Sequence, residues 1–227
     1  MTIRPGQAWG EPVELTGDEA VFESDADVAV AMAAAVEAAG AAQRDGDGRT
    51  RASGDDGHGR HGASAGEPAT GQVLGVIRAG DLARTLAAPA AIPHRVPLDL
   101  LAVDVDGHRM YAAAHVVIRG PAWSGECVVA MNAAFLGAWN LGPRAHPNDG
   151  LVDITAGSLS IRERLQARVR ARSGTHVPHP RLATRRARGD VWELPRSRSV
   201  YVDGRRVARS ARRVAVEVIP DAAVLAF

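Results

Sequence analysis

Residues 97–120 read PLDLLAVDVDGHRMYAAAHVVIRG. Two extended apolar runs flank Asp106-Gly107, and an Asp-Gly pair in that position is a strong signal for a two-residue β-hairpin. Downstream the same grammar repeats. Residues 127–135 form an apolar, strand-like run, residues 151–155 another, and residues 199–207 carry a second hairpin signal at Asp203-Gly204. Residues 213–219 alternate, Pro220-Asp221 turns the chain, and residues 223–227 supply the last strand. One helix interrupts this order, over residues 160–172. Ser160 and Glu163 are spaced as a capping box, and Ile161, Leu165 and Val169 make the stripe expected to be buried. Arg162, Arg164, Arg168, Arg170 and Arg172 fill the other faces. Residues 97–227 therefore read as an antiparallel β domain with one inserted helix.

Towards the N-terminus the pattern changes. Val21 and Phe22 suit a short strand. Ser24 or Asp25 can cap a helix whose Val28, Met32 and Val36 share a stripe. Residues 39–71, rich in Gly, Asp, Arg, Ser and His, read as an exposed disordered loop, and its His58 and His61 read as solvated rather than metal-binding. Residues 72–77 (QVLGVI) suit a buried strand. Asp81 suits the N-cap of a short helix from Leu82 to Ala88, halted before Pro89. This part reads as a reduced α/β fragment.

Length and composition bound the rest. The 227 residues allow one large domain or two small ones, and 46% hydrophobic residues allow a sizeable core. A single cysteine, Cys127, fits a reducing cytoplasm and reads as a small core residue. Neither a signal peptide nor a membrane span is expected; a peripheral membrane contact is compatible with the chain. The net charge of +1 conceals an asymmetry: residues 1–142 hold 10 Arg and 18 acidic residues, residues 143–213 hold 17 Arg and 6. A basic segment meets anions, or simply solvates a surface. Lys is absent, which excludes a P-loop lysine, a Schiff-base lysine and a Ser-Lys dyad. The pair His176 and His179 reads as part of a rigid connector, because zinc needs two further ligands. Trp123 and Trp139 are expected at core or pocket edges.

Residues 146–154, HPNDGLVDI, pose the functional question. Pro, Asn, Asp and Gly make a tight turn before a strand. Asp149 either closes that turn by bonding its own backbone, or presents a carboxylate to a ligand.

The hairpin after P-L-D-L, the P-N-D-G-L-V-D-I block, the helix, the G-T-H-x-x-H-P stretch, the V-D-G turn and the closing V-x-V-x-P-D-A-x-x-L together resemble one family. It is the C-terminal β-sandwich domain of the diacylglycerol kinase and sphingosine kinase family, bacterial lipid kinases included. The resemblance covers residues 97–227. It implies transfer of the ATP γ-phosphate to a lipid hydroxyl, with a glycine-rich nucleotide loop in an N-terminal α/β domain. It also implies Mg²⁺ at the D-G-L turn, held here by the carboxylate of Asp149 and the backbone carbonyls of His146 and Leu151. A turn suits Mg²⁺, which takes hard oxygen ligands and keeps several waters.

Two departures count against catalysis. The family's G-G-D-G-T loop is matched only by Ala79-Gly80-Asp81-Leu82-Ala83, where Leu82 obstructs close approach of a phosphate to backbone N–H groups. The family's D-G-E turn, whose Glu is the proton acceptor, reads Asp203-Gly204-Arg205, and Arg cannot act as a base near neutrality. Asp203 remains as the catalytic candidate, with Gly80 and Asp81 as the nucleotide-binding candidates.

The expected fold class is α+β, an antiparallel β-sandwich with one inserted helix, preceded by a reduced α/β fragment. The expected domains are residues 1–90, including the loop 39–71, and residues 91–227. The function expected first is that of a diverged, catalytically impaired lipid-kinase homologue binding a lipid or a phosphate-bearing small molecule. The alternatives are an active lipid kinase using ATP and Mg²⁺, and an Arg-rich nucleic-acid binder acting through residues 181–192, where Trp192 could stack a base. Nucleic acid is the least favoured partner, because residues 181–192 also suit a basic loop with Trp192 in the core.

Overall fold

The computed structural model describes residues 10–50, 73–87 and 92–227. The chain runs through β1 (Glu11–Pro12), β2 (Val21–Phe22), α1 (Asp25–Thr50), β3 (Val76–Ile77), α2 (Asp81–Leu86), β4 (His94–Val105), β5 (His108–Ala112) and β6 (His115–Arg119). It continues with β7 (Glu126–Met131), β8 (Phe135–Leu136), β9 (Trp139–Asn140), β10 (Val152–Ser158), α3 (Ile161–Arg170), β11 (Leu182–Ala187), β12 (Gly189–Val202) and β13 (Arg205–Ala226). The class is α+β, as expected: an antiparallel β-sandwich with few helices.

Among the described residues eleven strands join in one sheet, in the order β1-β4-β13-β12-β6-β7-β10-β11, with β5 on β4 and the β2–β3 pair attached to β13. Both Asp-Gly hairpins form. Asp106 and Gly107 have φ of 50° and 86°, Asp203 and Gly204 have 44° and 77°, and Val105–His108 and Val202–Arg205 close the two-residue loops. Positive φ at both central residues is what a type I′ turn requires.

The period-2 pleat distributes side chains between three cores. On β4, Val96, Leu98 and Leu100 join a core with Val28 and Met32 of α1 and Leu82 and Leu86 of α2. Leu101, Val103 and Val105 point the other way, into a second core with Val116, Ile118, Val128, Ile154, Val200 and Val214. Its contributors lie on both ends of the sheet order, so the sheet closes over itself. Val117, Val129 and Met131 take the outer faces of β6 and β7 and form a third, smaller cluster with Trp123 and Leu141.

Three sequence expectations need correction. Helix α1 continues to Thr50, through residues read as the start of a loop; Ala and other good helix formers around residues 41–44 outweigh the isolated glycines. The rest of the loop, with His58 and His61, lies outside the described residues. Asp81 is the first residue of α2 rather than its cap, and Gly80 takes the N-cap position with no side-chain cap of its own. Finally, α3 has the predicted capping box, but its apolar stripe is not buried: Ile161, Leu165 and Val169 are 70%, 62% and 72% exposed. The helix stands off the sheet, for the reason given next.

Candidate functional site

Beneath α3 lies a cavity of about 550 Å³. The residues that build its floor follow from the pleat: Cys127 and Val129 of β7 and Thr155 and Gly157 of β10 face it, while the alternate residues serve the second core. Gly157 admits no side chain, since a Cβ there would come within 2.0 Å of the Arg181 carbonyl oxygen. Trp123 and Trp139 meet edge to face at 6.4 Å and form one wall. Cys127 is half-buried and lines this space instead of a packed core; burial pushes its thiol above the ordinary value, so it is a neutral, apolar contact.

Few polar groups enter this space. Arg164 of α3 donates to the Ala122 carbonyl at 2.6 Å, and its Nε is buried without a partner among the described residues. Arg168 stands 5.6 Å from the Trp139 ring. His176 is buried, its Nδ1 has no partner among the described residues, and burial lowers its pKa, which favours the neutral imidazole. His179, by contrast, is half-buried and belongs to a bridge with Leu182. The cavity thus combines apolar walls with a short cationic edge, the composition of a site for an apolar ligand with an anionic end.

The HPNDGLVDI turn sits elsewhere, beside a polar cavity of about 670 Å³ lined by Asp99, Asp149, Arg188, Glu217 and Asp221. Asp149 Oδ1 accepts from the Leu151 N–H at 3.0 Å, which is the Asx-turn. Its Oδ2 is ion-paired with Arg186 Nη2, and Arg186 Nε lies 2.9 Å from Asp153 Oδ1. Asp99 accepts from the backbone N–H of Gly150 and Asp221 at 2.7 and 3.0 Å. Burial, and then the nearby Asp221 and Asp149, push its pKa up to about 6. Burial also lowers the pKa of His146. These residues do not fit Mg²⁺ as the resemblance implies it. Both oxygens of Asp149 are engaged, and a guanidinium already supplies positive charge between Asp149 and Asp153.

The remaining candidates converge at the junction of α1, α2 and β6. Asp25 Oδ2 and Oδ1 accept from the N–H groups of Asp81 and Leu82 at 2.8 and 2.9 Å, capping α2 from 56 and 57 residues away. Asp81 turns aside to accept from His115 Nε2 at 2.9 Å and from the Gly137 N–H at 2.7 Å. Asp203 accepts from the N–H groups of Ala113, Ala114 and His115 at 2.8 to 3.0 Å. Burial raises the pKa of Asp25 to about 6 and raises that of Asp203. For His115, burial opposes the charge, but the hydrogen bond to Asp81 and the fields of Asp203, Asp81 and Asp25 outweigh it and raise the pKa. Burial works to raise Asp81 as well, and the bond and charge of His115 hold it low. Both shifts favour a charged His115 beside a charged Asp81. Polar atoms of Asp25, Asp81 and His115 lie within 4.8 Å of one another, a spacing a cation could use. Every carboxylate oxygen there already accepts from an N–H, and the raised pKa of His115 favours a positive charge at the same place.

Three expectations are answered by this geometry. Gly80 and Asp81 begin a helix whose N-terminal N–H groups, the natural contact for phosphate, are taken by Asp25. Asp203 organises the β5–β6 backbone, and Arg205 is exposed on the hairpin. In the Arg-rich segment, Arg185 pairs with Asp190, Arg186 pairs with Asp149, and Trp192 packs against the second core. Asp25 was expected at the start of its own helix and not as the cap of α2, and nothing local marked His115, because their partners lie far off in the chain.

Residues 76–227 match the family of the YegS C-terminal NAD kinase beta sandwich-like domain. Two solved structures, each of a putative diacylglycerol kinase from Bacillus anthracis str. Sterne, share the fold with TM-scores of 0.50 and 0.50 at 14% and 13% identity. Each alignment covers 66% of this chain and 68% of that one. No curated protein matches the chain.

Proposed function

The chain belongs to the YegS C-terminal, diacylglycerol-kinase-like family, and from that premise we propose that it holds an anionic lipid without transferring phosphate to it. The observation that carries this reading is the apolar cavity under α3, with the buried, unpartnered Arg164 Nε and His176 Nδ1 at its wall. Its volume lies inside the range of about 300–1,000 Å³ typical of small-molecule sites. Each methylene taken from water into such walls contributes roughly 0.8 kcal/mol. A chain of about fourteen carbons thus gains roughly 11 kcal/mol gross, of which roughly 4 or more is lost to association. Micromolar affinity follows, and the guanidinium of Arg164 selects the anionic end.

Against catalysis stand the Asp25 carboxylate at the α2 N-terminus, the engagement of Asp203 by three N–H donors, and Arg205 in place of a base. Phosphoryl transfer needs a phosphate cradle and charge neutralisation, and these features oppose both.

The test is titration with a naturally fluorescent polyene fatty acid, on the parent chain and on Ala167→Trp, which places an indole in the cavity from the helix side. Saturable micromolar binding by the parent, lost in the variant, is expected; equal binding by both would remove the cavity as the site. Parallel incubation with radiolabelled ATP, Mg²⁺ and a lipid extract is expected to label nothing.

A further inference from the structure

Helix α3 presents a feature that a ligand inside the cavity does not explain. No residue of the helix is buried, and Ile161, Leu165 and Val169 stand 70%, 62% and 72% exposed. At roughly 100° per residue these three form one continuous stripe about 80° wide. Arg162 borders the stripe on one side, and Arg168 and Arg164 follow on the other. Arg170 and Arg172 extend the positive charge to the end of the helix and the 3₁₀ turn after it. Glu163 is the one acidic residue between positions 161 and 172, and it is consumed by the capping box and by Arg181 at 3.4 Å.

Three large aliphatic side chains in line are unusual on a solvent-facing helix, and here they are flanked by guanidinium groups with no ion-pair partner among the described residues. The charge decides between occupants. A second copy of this helix would set Arg against Arg, whereas a lipid surface bearing anionic head groups offers the complementary charge together with apolar depth. Amphipathic helices with a basic polar face lie in that interface.

We propose that α3 is a membrane-docking helix: Ile161, Leu165 and Val169 enter the acyl boundary of an anionic bilayer, and Arg162, Arg168, Arg170 and Arg172 contact its head groups. Ile161 and Leu165 also line the cavity, so docking would set its mouth against the lipid. The inference rests on the exposed face and not on occupancy of the cavity, so each can fail without the other.

The experiment is co-sedimentation of the full chain with vesicles of phosphatidylcholine alone and of phosphatidylcholine with phosphatidylglycerol. Binding is expected only to the anionic vesicles, weakening as salt is raised. The triple substitution Ile161→Glu, Leu165→Glu, Val169→Glu is expected to weaken it by roughly a hundredfold or more. These are surface positions, so the variant should retain the parent's circular dichroism. Ala167→Trp is expected to dock like the parent even if it no longer takes up fatty acid. Undiminished docking by the triple variant, equal binding to neutral vesicles, or a parent dimer that the triple substitution dissolves would each overturn the proposal.

Discussion

Arg186 stands where the resemblance places a metal, and its removal gives a quantitative test of that substitution of charge. In Arg186→Met the aliphatic stem keeps its packing while the guanidinium is lost. Asp149 and Asp153 then lose their ion-pair partner, with side chains only 11% and 9% exposed. Stripping one partner from a fully buried pair costs about 3–5 kcal/mol. Arg186 itself is 33% exposed, so water shares the screening and about 2 kcal/mol is expected here. For a chain of this size that lowers Tm by roughly 4–8 °C. The variant also releases hard oxygen donors, so millimolar Mg²⁺ should restore part of the loss. The parent should melt at the same temperature with Mg²⁺ or with a chelator. Calorimetry under these conditions decides the matter: a parent Tm that rises with Mg²⁺ and falls with chelator would refute the reasoning and return Asp149 to metal binding.

Asp25 predicts a pH effect of defined sign. Its folded pKa of about 6 lies above the ordinary 3.8, so the fold favours the protonated acid. That contribution is complete below about pH 4 and lost as pH rises through about 6, a swing of about 3 kcal/mol. Relative to the parent, Asp25→Asn should therefore gain about that much stability between pH 4 and pH 7 in urea titrations; a pH-independent difference would contradict it. Asp81→Ala and His115→Ala should each cost about 3 kcal/mol, and the double variant should cost less than their sum by about 1–3 kcal/mol; strict additivity would show that the two do not act as a pair. Ser160→Ala should cost about 1 kcal/mol of stability by removing half of the capping box, measured as a shift in urea midpoint.

The parts of the fold legible in the sequence were those with local causes. Asp106-Gly107 and Asp203-Gly204 predicted their hairpins because a type I′ turn needs positive φ at both residues and Gly supplies one of them without strain. Ser160 and Glu163 predicted their capping box for the same reason, since both partners lie within one turn. The misreadings were long-range. Asp81 has the chemistry of a cap, but Asp25 reaches the same N–H groups from another helix. The periodicity of Ile161, Leu165 and Val169 correctly indicated an amphipathic helix, but periodicity cannot distinguish a face that meets a protein core from one that meets something else. At the turn of residues 146–151 the Asx bond of Asp149 was readable from N-D-G-L. Its ion pair was not, because Arg186 arrives 37 residues later on β11. The cavity was invisible for a related reason: it depends on where α3 stands, not on any single segment.

A lipid held in the cavity under α3 of the native protein is the property on which the proposed function depends. Chloroform–methanol extraction of the purified chain, followed by mass spectrometry, tests this directly against Ala167→Trp prepared in parallel. A near-stoichiometric anionic lipid in the parent, depleted in the variant, is the predicted result. Lipid at equal trace levels in both, or none in either, would contradict it.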